Sequence, residues 1–222
     1  MQVDWFPLWN SLRIAAIATV ITFFLGIFSA YFVCKLPKGI KGICDVVLTI
    51  PMVLPPTVVG FFLLRLLGPK GVLGAKLLAW FDLRIMMTWQ AAIFAVIIVT
   101  FPLMYRTTRG AFESFDRNIL DAAQTLGLPG YYIFWRILLP GCRQGIFAGM
   151  ILAFARGLGE YGATSMVSGY TPGRTATIST TVYQLWREGD TMQAYRWVFV
   201  NLAISFCVLM AVNLMERKRR AG

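Results

Sequence analysis

The sequence predicts an all-α polytopic membrane protein with five transmembrane helices. Of its 222 residues, 58% are hydrophobic and only 14% are charged, and the apolar residues form long runs. A bilayer core about 30 Å thick needs about 20 helical residues. Five runs reach that length, at residues 14–34, 46–64, 85–105, 144–167 and 197–215. We expect residues 1–222 to form a single transmembrane domain.

The distribution of Lys and Arg predicts the orientation of these spans. Five spans place the termini on opposite sides of the membrane. With the N-terminus outside, the inner segments and the tail at 217–220 hold more Lys and Arg than the outer loops, as cytoplasmic segments do. The same bias, with attraction to the anionic lipid bilayer, accounts for the net charge of +11. No nucleic acid partner is therefore expected.

Several kinds of catalytic site are absent from the sequence. There is no histidine, which excludes His-activated nucleophiles and H-E-x-x-H metal sites. There is no G-x-x-x-x-G-K-[ST] loop to hold ATP, and the four cysteines lack C-x-x-C spacing. We predict no catalytic residue, metal or cofactor in this chain, so any energy from a nucleotide must come through a partner.

The second span contains three prolines. Pro51, Pro55 and Pro56 each remove a backbone donor, which lipid tolerates only where neighbours or a water-filled cavity satisfy the freed carbonyls. We expect this helix to be bent or broken. Together with Thr57 and Gly60, the prolines favour a helix that lines a pathway, although a purely structural kink remains the alternative.

The flanking elements follow from similar patterns. The Gly- and Pro-rich loop that begins near Gly68 predicts a short surface helix on the outer side. Pro102 lies near the inner end of the third span and predicts a kink. Residues 176–186 predict an amphipathic helix at the outer interface, ahead of the last span.

The fourth span carries Arg156 and Glu160. A lone ion at the bilayer centre costs on the order of 3 kcal/mol, and the four-residue spacing puts these two on one helical face. A structural ion pair and a pathway role are both compatible with the pattern. Gly157, Gly159 and Gly162 permit close helix approach or local unwinding.

A polar middle segment, at about 106–140, is predicted to be cytoplasmic. Asp116 or Asn118 can cap a short helix that ends at Gly127, and a second short helix is expected at 131–138. Ala122 and Ala123 give the first helix a low-relief face suited to a cleft on another protein. An amphipathic helix resting on the inner membrane surface is the alternative.

The middle segment also carries a spaced motif. Asp121-Ala122-Ala123, then Gly127 after three residues, then Ile137-x-Leu139-Pro140 after nine more, resembles the E-A-A-x3-G-x9-I-x-L-P signature of ABC importer membrane subunits. Asp121 stands where that family usually has Glu, which keeps the charge and shortens the side chain by one methylene. The stretches "PMVLPPTVVGFFLLRLLG" and "ARGLGEYGATSMVSGYTPGRTATI" are similar to the molybdate-type permeases within the family.

This resemblance implies the fold of type I ABC importer permeases, with a cytoplasmic coupling helix in a bacterial or archaeal inner membrane. It further implies a second copy of the permease, two ABC ATPase subunits that bind ATP and Mg, and an extracytoplasmic oxyanion-binding protein. The implied ATPase-coupling residues are Asp121, Ala122, Ala123, Gly127, Leu128, Ile137, Leu139 and Pro140. The candidate pathway residues are Pro51, Pro55, Pro56, Thr57, Gly60, Arg156, Glu160, Thr164 and Ser165.

The expected function is thus ATP-driven import of molybdate or tungstate, with the permease itself not an enzyme. A sulfate or thiosulfate permease of the same group is the nearest alternative, because these oxyanions share charge and tetrahedral shape. A self-sufficient channel or secondary carrier is the alternative from another class. It would usually show inverted repeats or more intramembrane charges, and neither is present in the sequence.

Overall fold

The computed structural model describes residues 4–82 and 84–220, with the backbone alone for 211–220, and this part of the chain contains helices and no strand. The predicted all-α class is confirmed. In chain order the helices are α1 (Phe6–Cys34), α2 (Lys38–Val53), α3 (Pro56–Leu67), α4 (Val72–Phe81), α5 (Trp89–Glu113), α6 (Arg117–Thr125), α7 (Gly130–Ile133), a π-helical segment (Phe134–Leu138), α8 (Leu139–Gly141), α9 (Arg143–Leu158), α10 (Gly162–Ser168), α11 (Ile178–Arg187) and α12 (Thr191–Arg220).

The described helices account for five membrane spans if each bent pair is one span. α1, α5 and α12 are each long and apolar enough to cross a bilayer. Two further pairs pass only when joined, α2 with α3 and residues 130–141 with α9. α1 begins at Phe6 rather than Ile14 and α5 continues to Glu113 rather than ending at Tyr105, because hydropathy marks the apolar stretch and not the helical turns beyond it.

α5 is the central helix of the bundle. It packs against α1, α2, α9 and α10, and 61% of its most apolar stretch is buried, against 11% for α12. The contact with α9 is close because Gly157 has no side chain, and a Cβ at that position would lie 2.8 Å from Val96 Cγ1. α12 instead lies at the edge of the bundle, where most of its apolar side chains face the surroundings.

The second predicted span is broken, as its prolines predict. The backbone is extended at Leu54 and Pro55, and α2 and α3 meet at an angle of 104°. α3 lies close against α10 at two glycines, one on each helix. A Cβ on Gly60 would lie 2.9 Å from Ala163 Cα, and one on Gly162 would lie 2.9 Å from Pro56 Cβ. The two short helices therefore pack at a separation that only glycine permits.

The fourth predicted span is not one continuous helix, which corrects the expectation for 144–167. α9 ends at Leu158, residues 159–161 are non-helical, and α10 begins at Gly162. The Glu160 carboxylate accepts the Ala163 N–H at 2.9 Å and so replaces one of the helical hydrogen bonds lost at the break. The glycines had allowed close helix approach or local unwinding, and both are observed: Gly157 and Gly162 lie at close contacts, and the helix is interrupted at 159–161.

The two predicted surface helices are present as α4 and α11. Thr177 caps α11 in a reciprocal capping box with Thr180, and α11 begins close to the predicted position. Its preceding residues are tied to α1, because Asn10 Nδ2 donates to the Ala176 carbonyl at 2.9 Å and the Ile178 N–H donates to Ser11 Oγ at 2.8 Å. The loop before α11 is thus anchored to the start of α1.

Candidate coupling and translocation sites

The helix α6 has the local structure that its sequence predicts. Asp116 Oδ1 accepts the Asn118 N–H at 2.9 Å, which settles the choice of cap. At the other end, Gly127 adopts φ = +73°, and the Leu128 N–H donates to the Ala123 carbonyl at 3.2 Å. Glycine is favoured there because side chains with a Cβ rarely adopt this backbone conformation.

The two alanines of the motif face in opposite directions. Ala123 is only 4% exposed and packs onto the rest of the chain, whereas Ala122 is exposed. The predicted low-relief face therefore does not include Ala123, whose small side chain instead allows α6 to lie close to the bundle. Asp121 is exposed beside them.

An apolar stripe on α6 was not predicted from the sequence. Ile119 and Leu126 are 47% and 79% exposed, and with the exposed Ala122 they occupy positions i, i+3 and i+7 of one helical face. The spacing is visible in the sequence, but the motif drew attention to the alanines instead. An exposed apolar stripe of this kind is typical of a helix that docks in a groove on another protein.

The second half of the motif seats its helix on the bundle. The predicted helix at 131–138 is present, but it runs from Gly130 to Gly141 through the π-helical segment, so Pro140 lies inside it. Pro140 has no N–H to donate to the preceding turn, which is consistent with the wider π turn. Phe134 is buried against Tyr31, with ring centroids 4.3 Å apart, while Ile137 and Leu139 are half-buried.

A cavity of about 360 Å³ separates α6 from the ends of α1, α2 and α5. Its lining includes the charged residues Lys35, Lys41, Glu113, Arg117 and Asp121. α6 is joined to the bundle through Leu120, which packs against the apolar core, and through the helix that follows it.

A charged cluster beside this cavity was also missed. Lys41 and Asp45 of α2 form ion pairs with Glu113 and Arg109 of α5, and the Tyr105 hydroxyl donates to Asp45. Arg109 Nε also donates to Glu113 at 3.1 Å. The only sequence signal is that each helix carries two opposite charges four residues apart.

The candidate pathway residues on α2 and α3 differ in accessibility. Pro55 and Thr57 are exposed, Pro51 and Pro56 are half-buried, and Gly60 is buried against α10. Thr57 thus offers a free hydroxyl beside the helix break, whereas Gly60 serves the contact between α3 and α10.

Arg156 and Glu160 are paired across the break after α9, with Arg156 Nη1 and Glu160 Oε2 2.7 Å apart. The Glu160 side chain is 1% exposed and that of Arg156 is 40% exposed. Thr164 is buried, and with Glu160 it lines a void of only about 10 Å³, far too small for an oxyanion. Ser165 is half-buried and donates to the Gly162 carbonyl at 3.1 Å. Of this group, only Arg156 and Ser165 have side chains in contact with the surroundings.

The sequence matches a family described as the inner membrane component of binding-protein-dependent transport systems, over residues 22–220. The chain belongs to this family. It is thus a membrane-embedded transport subunit rather than an enzyme, as the motif had predicted.

The chain is similar to several transport permease proteins over nearly its whole length. It is 36% identical to the molybdenum transport system permease protein ModB of Escherichia coli K12, in an alignment that covers 99% of this chain and 97% of that protein. It is 34% identical to the putative molybdenum transport system permease protein YvgM of Bacillus subtilis 168, over 93% and 91%. A probable sulfate transport system permease protein cysT of Zygnema circumcarinatum is more distant, at 28% identity over 93% and 72%.

The fold is that of ABC importer membrane subunits. A bacterial ABC transporter involved in the import of the acidic polysaccharide alginate superposes with a TM-score of 0.73 at 17% identity, covering 98% of this chain and 80% of that one. An inward-facing MetNI methionine ABC transporter gives a TM-score of 0.70 at 13% identity, with 94% of both chains covered. The predicted type I importer fold is therefore confirmed.

Proposed function

We propose that this chain is the permease subunit of an ABC importer for molybdate or tungstate. The observation that carries the proposal is the near full-length identity of 36% with a molybdenum permease, against 28–31% for the sulfate relatives, the 31% match covering only 78% of this chain. Two copies of the permease enclose the pathway, and two separate ATPase subunits bind ATP and Mg. An extracytoplasmic oxyanion-binding protein delivers the substrate.

In this assembly α6 is the coupling helix. Its exposed stripe of Ile119, Ala122 and Leu126 enters a groove on the ATPase, and Asp121 adds a charged contact at the edge. The small side chain of Ala123 lets the helix lie close to the bundle, and Gly127 ends the helix. This arrangement requires the N-terminus outside and the C-terminus in the cytoplasm.

The anion is expected to pass exposed polar groups beside the helix breaks. Thr57, Ser165 and the partly exposed Arg156 lie on the accessible side of the breaks in the second and fourth spans. Hydroxyls, backbone N–H groups and a cation already neutralised by Glu160 lower the desolvation cost of an anion without trapping it. We therefore expect weak intrinsic affinity, with selectivity residing in the binding protein.

Reconstitution tests the proposal directly. The permease, its ATPase and its binding protein are placed in proteoliposomes, and ATP-dependent uptake of molybdate is measured with and without excess sulfate. Molybdate uptake that sulfate barely inhibits is the expected result. Good sulfate transport without molybdate transport would assign the chain to the sulfate branch, and uptake without any ATPase would identify a self-sufficient carrier.

A further inference from the structure

The charged cluster of Lys41, Asp45, Arg109 and Glu113 links one end of α2 to α5. α2 buries none of its residues, although all of them lie in the described part of the chain. Its inward face consists of Lys41, Cys44, Asp45 and Leu48, each only half-buried. Lys41 and Asp45 form the ion pairs with α5, while Cys44 and Leu48 pack against the edge of the apolar core, so charge contacts and a small apolar contact together hold this end of α2.

The other end of α2 is a break in the helix at which the chain can bend. Beyond Val53 the backbone is extended at Leu54 and Pro55, and Pro55 and Pro56 have no N–H with which to continue the helical hydrogen bonds. α3 is held separately, because Gly60 and Gly162 lock it against α10. α2 is therefore a short rod with a hinge at one end and an ionic link at the other.

The ionic link lies next to the coupling helix. Glu113 is the last residue of α5 and precedes the α6 cap Asp116 by a single turn of chain. Lys41 and Glu113 line the same cavity as Arg117 and Asp121 of α6. Any displacement of α6 that moves the end of α5 thus acts on α2 through Lys41 and Asp45.

The charged side chains of the cluster are partly shielded from solvent and contact one another. The Asp45 and Arg109 side chains are 20% and 23% exposed, so water screens their attraction less than that of a surface pair. Asp45 also accepts the hydroxyl of Tyr105, a residue that is fully buried in α5. Arg109 in turn donates to Glu113, so each charge has at least one fixed neighbour.

We propose that Lys41, Asp45, Arg109 and Glu113 are positioning residues that make α2 follow the end of α5 when the coupling helix moves. The rotation of α2 about Leu54 and Pro55 then reshapes the helix break beside Thr57. This inference rests on the proposed function, because it assumes that an ATPase moves α6.

The first test compares variants at Lys41 in the reconstituted complex. Lys41→Met removes the charge with little change in volume, Lys41→Arg keeps the charge, and Lys38→Met is a matched control at an exposed lysine of the same helix. We expect Lys41→Met to raise the ATP hydrolysed per anion transported by roughly twofold to thirtyfold, the range of measured coupling effects. Lys41→Arg and Lys38→Met should keep the wild-type ratio.

A double-mutant comparison separates a link from two independent defects. Glu113→Gln and Lys41→Met remove the same ion pair, so the double variant should be no worse than the more severe single variant. Tyr105→Phe provides a milder perturbation of the same cluster if a charge variant fails to assemble. Multiplicative losses in the double variant, or a wild-type ratio in Lys41→Met, would overturn the inference.

The second test does not depend on the substrate. In a chain whose native cysteines are replaced by alanine, spin labels at Ile40→Cys and Gly110→Cys report the distance between the ends of α2 and α5. Both positions are exposed. In the ATPase-bound complex this distance should stay constant when ATP is added, and it should change or broaden once Lys41→Met is introduced. A complex that transports no molybdate but shows these distances would refute molybdate as the substrate and still support the link between α2 and α5.

Discussion

Replacing Glu160 tests whether the ion pair at the break in the fourth span is structural. Glu160→Gln keeps an oxygen that can accept the Ala163 N–H but removes the charge opposite Arg156. Because the Arg156 side chain is 40% exposed and lies beside the proposed pathway, water in that pathway can solvate its charge after the change. The loss should therefore lie below the 3–5 kcal/mol of a fully buried pair, at about 1–2 kcal/mol.

Glu160→Ala removes both functions of the carboxylate. The Ala163 N–H then has no acceptor at a shielded site, since the Glu160 side chain is only 1% exposed. Leaving this N–H unpaired adds about 1–3 kcal/mol to the cost of losing the ion pair. We expect a total of about 3 kcal/mol. The free energy of unfolding of the purified permease, measured by denaturation in mixed micelles, provides the comparison.

The three forms of the protein should differ in stability in a fixed order. Wild type should be the most stable, followed by Glu160→Gln and then Glu160→Ala. The exposed Glu188 is a matched control, and Glu188→Ala should fall within about 0.5 kcal/mol of wild type. The structural interpretation would be falsified if Glu160→Ala matched wild-type stability while uptake fell, since Glu160 would then act on the anion alone.

Four further predictions concern other parts of the chain. Asn118→Cys should resist an impermeant thiol reagent in intact cells and react with it in inverted vesicles. Labelling in intact cells would contradict the proposed orientation. Gly127→Val should remain inserted in the membrane but lose most ATP-driven uptake. Gly127→Asn should retain uptake, because asparagine tolerates φ = +73°. Equal uptake by the two variants would show that the backbone conformation at Gly127 does not matter for coupling. Thr57→Cys should react with small hydrophilic reagents at a rate that depends on nucleotide. Gly60→Cys should instead lower stability, because even its Cβ meets α10 at 2.9 Å, and a stable, reactive Gly60→Cys would contradict that packing.

The features that depend on local chemistry could be predicted from the sequence. Three prolines broke the second span, Asp116 capped α6, and Gly127 adopted the left-handed conformation. Each outcome depends on a residue and its immediate neighbours. The same holds for the apolar runs, because span length depends only on bilayer thickness.

The features that depend on distant partners could not be predicted. Lys41 and Glu113 are 72 residues apart, and neither shows from sequence that it will meet the other. The inward direction of Ala123 depends on where the bundle lies relative to α6. The break after α9 was only one of two possibilities, because its run contains no proline and its glycines also permit close packing, and the acceptor role of Glu160 appears only when Ala163 is in place.

The tight contact of Gly60 with α10 has a consequence for biosynthesis. α3 has 12 residues and spans about 18 Å, too short to cross the bilayer core unaided. Its partner α10 is synthesised roughly a hundred residues later. At about 5–20 residues per second, α3 waits about 5–20 seconds for this partner. Chaperones and membrane proteases have that interval in which to act, so substitutions at Gly60 should lower the cellular abundance of the protein before they alter its transport.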